Sequence, residues 1–180
     1  MRQIRDSSIN PNSINLVLKL MSLVDLYNSY YYAYKLISTK DEIFGSAYAS
    51  AVYLKYNLKF PQDKKVFVVG MKGLEEELQS ENIRYIGGTD PSFNSLDANL
   101  DFGYIKQNLD PDVGAVMCGF DILINYKKLC YAYSYLTSKE HENVKFLLTN
   151  DDSTFPQSSG LFPGKVPVLE ITGDGIFTHC

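Results

Sequence analysis

KKVFVVGMKGLEEELQSENIRYIGG, residues 64–88, holds the pattern that decides the fold. KKVFVVG (64–70) is a β-branched and aromatic run that stops at a glycine, the composition of a buried strand. LEEELQSEN (74–82) follows with its carboxylates in the first turn, where they complement the positive end of a helix dipole. IRYIGG (83–88) returns to a short apolar run and closes on glycine again, as a second strand would. The stretch therefore reads as strand, helix and strand in series.

The same rhythm recurs downstream. VGAVMCGF (113–120) is an apolar strand, and VKFLLT (144–149) is the next one. Between them YKKLCYAYSYLTS (126–138) reads as an amphipathic helix with Leu129, Tyr133 and Leu136 on one side. Two such units in series predict an α/β domain with a central sheet whose parallel pairs need right-handed crossovers. Upstream, DEIFGSAYASAVYLKYNLKF places Ala47, Ala51, Leu54 and Leu58 on one helix face, starting at Gly45 or Ser46 and closed by Pro61. Residues 89–109 read as a polar, irregular connection. QSSGLFPGKVPVLEITGDGIFTHC, at the end, supports one short strand, Val166–Ile171. Residues 1–40 are a divergent segment, helical on the spacing of Leu16, Leu20, Leu23 and Tyr27.

Composition narrows the function classes. The chain has 180 residues, enough for one ordinary domain, with 45% hydrophobic and 21% charged residues as in a globular protein. A net charge of −4 argues against a nucleic-acid partner. The apolar stretch Leu16–Leu26 carries Lys19 and Asp25, too short and too charged to span a membrane. Cys118, Cys130 and Cys180 have no metal-ligand spacing, and an odd count fits a reducing, cytoplasmic setting. The 14 Tyr against no Trp are unusual, and five of them crowd into residues 27–34.

Several residues could carry chemistry. Gly70-Met71-Lys72-Gly73 joins a strand to a helix and would offer N–H groups to phosphate. It matches neither the dinucleotide glycine pattern nor the P-loop, so a nucleotide site is disfavoured and a plain βα turn preferred. Asp110, Asp112 and Asp121 bracket a strand and could hold Mg²⁺ through oxygen, but Asp-Pro-Asp is also ordinary turn chemistry. His141 and His179 are isolated and expected to be solvent-exposed. FLLTNDDSTFP (146–156) breaks from an apolar strand into Thr149, Asn150, Asp151 and Asp152. Ligands of α/β sheets gather at such carboxyl ends, and an Asx-turn would produce the same sequence.

IFGSAYASAVYLK, KKVFVVGMKGLEEEL, IRYIGGTDP, LDPDVGAVMCGFDILINYKKL and VKFLLTNDDSTFPQSSGLFPG run in an order that resembles one family. It is the 4-nitrophenylphosphatase/phosphoglycolate phosphatase family, C2-capped members of the haloacid dehalogenase superfamily, over about residues 41–164. The resemblance implies an α/β, haloacid dehalogenase-like fold, mostly the α/β C2 cap domain with an incomplete Rossmann-like core. On that frame residues 41–62 are a core or linker helix, 63–148 the cap, and 149–180 a partial return to the core. It implies Mg²⁺-dependent hydrolysis of small phosphate monoesters, such as 4-nitrophenyl phosphate or 2-phosphoglycolate, through an aspartyl-phosphate. Thr149, Asn150 and Asp152 become the expected substrate-binding residues, facing an active-site mouth.

Departures from the family are as specific as the matches. The D-x-D-G motif that supplies nucleophile and acid/base occurs nowhere, so no catalytic residue is expected. Gly173-Asp174 and Thr178 keep the spacing of the metal-binding motif, with His179 where an Asp belongs; Asp174 is the expected metal residue. Lys165 follows FPG too soon to be the family's phosphate-binding lysine. The expected protein is phosphatase-like and inactive as this chain, a fragment or a cap-domain remnant serving as a binding module or without function. The incomplete core sheet would leave strand edges open to self-association, so a homo-oligomer is allowed.

Overall fold

The computed structural model describes residues 44–95, 100–141, 143–149, 154–163, 169–172 and 175–178. Residues 1–40, expected to start helical, lie outside these. A first helix, α1 (Ser46–Val52), begins after Gly45 and runs into a single π-helical turn, Tyr53–Asn57, before Pro61. The frame is then β1 (Lys65–Val69), α2 (Lys72–Ser80) and β2 (Arg84–Gly87), with β3 (Val113–Cys118), α5 (Tyr126–Thr137) and β4 (Lys145–Leu148) following. The four strands form one sheet in the order β2-β1-β3-β4, and every pair is parallel.

Strand alternation builds two cores, one on each face of the sheet. Val66 and Val68 face α1 and α2, meeting Ala51, Leu54, Leu74 and Leu78 together with Ala115, Met117 and Leu147. Phe67 and Val69 face the other way, onto Tyr131, Ala132 and Tyr135 of α5. Along β3 the alternation breaks, because Val113 and Val116 share the second core while Ala115 and Met117 share the first. The cause is a one-residue register shift between Lys65 and Val66, opposite Gly114. An inserted residue of this kind moves everything before it to the other face.

Three sequence expectations are corrected here. Residues 89–109 contain two short helices, α3 (Pro91–Asn94) and α4 (Phe102–Gln107), capped by the side chains of Asp90 and Asp101. The buried side of α5 is Lys128, Tyr131, Ala132 and Tyr135, while Tyr133 is exposed. That face wins because the aromatic rings stack on Phe67. The C-terminal part holds two antiparallel hairpins: β5 (Thr154–Gln157) with β6 (Gly160–Pro163), and β7 (Leu169–Thr172) with β8 (Gly175–Thr178). Among the described residues no helix is long and apolar enough to cross a membrane.

Candidate functional site

Because all four strands are parallel, their carboxyl ends deliver four turns to one edge of the sheet. Backbone bonds extend the ladder past the strands: Gly88 donates to Val68 O at 2.7 Å, Gly119 to Val69 O at 2.8 Å and Thr149 to Cys118 O at 2.9 Å. After β2 the chain turns at Gly88, whose φ is +60°. A Cβ there would lie 2.1 Å from Glu75 Oε1, so only glycine lets this carboxylate through. Glu75, nearly buried, accepts from the Thr89 amide at 2.5 Å and its hydroxyl at 3.0 Å, tying α2 to the β2 turn.

The turn after β3 is the most developed part of this edge. Asp121 and Lys128 are fully buried and paired at 2.7 Å. The other Asp121 oxygen accepts from the Leu123 amide at 2.8 Å. Asn125 caps α5 through the Lys128 amide and donates to Phe93 O and Leu123 O. Loop 119–125 is thus pinned at both ends while its middle points outward. Ile122 is 67% exposed, Leu123 45% and Tyr126 66%, and Phe102 of α4 meets Tyr126 edge-on at 6.2 Å. Ile122, Leu123, Tyr126 and Phe102 thus form an exposed apolar lip along this edge.

The expected site residues are only partly gathered here. Thr149 sits at this edge but is buried, its hydroxyl 3.0 Å from where a Cβ on Gly119 would stand. Asn150, Asp152 and Asp174 lie outside the described residues. Asp121 stands at the carboxyl edge, whereas Asp110 and Asp112 stand where β3 begins, so the three acids do not converge. Asp110 closes its turn by accepting from the Asp112 amide at 2.9 Å and pairs with Lys65 at 2.7 Å. Desolvation works to raise its carboxyl, but the Lys65 bond, the Asp112 amide and the Lys65 and Arg84 charges together outweigh it and hold the group below the usual range. That lysine is correspondingly raised, chiefly by its bond to Asp110. His141 is half-buried rather than solvent-exposed, because its ring packs edge-on against Tyr135. His179 lies outside the described residues. The lip residues were missed in the sequence; their only signal was an Ile-Leu-Ile run with no strand or helix to claim it.

Among the described residues no group of three or more His, Cys, Asp or Glu side chains could hold a metal ion. The Mg²⁺ implied by the resemblance therefore finds no such donor set among the described residues. The Cys118 thiol is not a reactive group either. Burial, and then the Asp121 charge, push the Cys118 thiol up to about 12. At pH 8 its thiolate fraction is ~10⁻⁴, so native alkylation should spare Cys118 and modify it only after denaturation. Mass mapping of iodoacetamide adducts reads this directly; labelling of Cys118 as fast in the native as in the denatured chain contradicts it.

A three-layer unit with a four-stranded parallel sheet and its turns gathered at one edge has the fold of the haloacid dehalogenase-like phosphatases. Glycerol phosphate phosphatase Rv1692 from Mycobacterium tuberculosis superposes with TM-scores of 0.50 in complex with magnesium and 0.53 in complex with calcium. Identities are 17% and 18%, over 77% and 78% of this chain and 34% and 33% of that one. No family model matches the chain. Individual relatives do: 4-nitrophenylphosphatase of Schizosaccharomyces pombe is 49% identical over 137 residues, covering 74% of this chain and 44% of that protein. Phosphoglycolate phosphatase 1A, chloroplastic, of Arabidopsis thaliana is 39% identical over 114 residues, covering 63% and 30%. Over this matched span the chain belongs with the 4-nitrophenylphosphatase/phosphoglycolate phosphatase family. It spans less than half the length of those two relatives.

Proposed function

We propose that the chain is the cap-bearing part of a small-molecule phosphomonoester phosphatase, with residues 63–148 as the cap, and that it does not turn substrate over as it stands. One observation carries this reading. The matched blocks Gly119-Phe120-Asp121 and Thr149 meet at the carboxyl edge of the sheet beside an apolar lip, and the carboxylate described there, Asp121, is buried and taken up by Lys128. The lip suits the aromatic ring of a substrate such as 4-nitrophenyl phosphate. For 2-phosphoglycolate, whose organic part is a carboxylate, and for the phosphate group, Thr149, Asn150 and Asp152 are the substrate-binding residues on this reading. Mg²⁺ and a cytoplasmic setting follow from the family resemblance and the cysteine usage. Asp174 is the residue this reading gives to the metal.

The inactivity follows from how phosphoryl transfer works. An activated group must attack phosphorus in line with the leaving oxygen, and D-x-D-G is absent from the sequence. The Asp-x-Asp at 110 and 112 is no substitute, since Lys65 and the turn occupy it at the far end of the strands. Loss of one member of a catalytic unit removes on the order of 10⁴–10⁶ in rate. Purified chain with Mg²⁺ and 4-nitrophenyl phosphate should therefore release no nitrophenol above a blank. Turnover that disappears in Asp174→Ala would overturn the proposal.

A further inference from the structure

We draw no further inference here: the strongest candidate, the exposed aromatic patch formed by Phe102 and Tyr104 of α4 with Tyr126 of α5, carries nothing, because nothing in the structure shows what covers it.

Discussion

Replacing Lys128 by Met should destabilise the chain by about 3–5 kcal/mol, seen as a lower urea midpoint at unchanged slope. The side chain is fully buried, and its ammonium lies 2.7 Å from Asp121, which is equally buried. Without it a carboxylate stays in the interior with one hydrogen bond, from the Leu123 amide, to offset its lost hydration. The pair itself contributes less than its removal costs, since both charges gave up water to form it. The double change Lys128→Met with Asp121→Asn should accordingly recover most of the loss, because Asn keeps the acceptor for Leu123 and drops the charge. A single variant as stable as the parent would mean that water reaches the pair. A double variant no better than the single one would mean that Lys128 acts through packing of its stem alone.

That pair also shows where the sequence was legible and where it was not. Strands β1, β3 and β4 were visible because a strand buried on both faces is an unbroken apolar run, and here glycine or threonine ends each one. Lys128 was invisible: a lysine within a helical pattern is read as solvated, and its partner lies in a loop whose path only the folded chain defines. The α5 face was misjudged for a related reason. Leu129 and Leu136 outrank tyrosine on water-to-hydrocarbon scales, yet Tyr131 and Tyr135 meet the ring of Phe67 on the same face of the sheet. The hairpin 154–163 was hidden by Pro156 and Pro163. Proline is tolerated there because both strands of a two-stranded ribbon are edges. At the candidate site the glycine-ended strands announced the edge, while the lip of loop 119–125 had no periodicity to betray it.

The second large effect is expected at Phe67. Phe67→Ala should cost about 3–5 kcal/mol. Its ring is fully buried and lies 5.5 Å from Phe93, 6.0 Å from Tyr131 and 5.2 Å from Tyr135, measured between centroids. These rings come from β1, α3 and α5, so one side chain holds three elements together, and the hole left by its loss cannot close without moving a helix. Phe67→Leu refills most of the volume and should cost about 1–2 kcal/mol. Tyr135 supplies a second readout. Burial pushes its phenol up to about 12, outweighing the bond it accepts from the Asp110 amide at 3.0 Å. Opening a cavity beside it admits water and should bring that titration back toward the ordinary tyrosine range. The damage should also travel to the lip, because the Phe93 carbonyl anchors Asn125, which caps α5 and closes loop 119–125. Faster amide exchange at Leu123 in Phe67→Ala than in Phe67→Leu is therefore expected. Equal exchange in the two variants would show that the lip is held by Asp121 and Lys128 alone, with the aromatic core acting only on global stability.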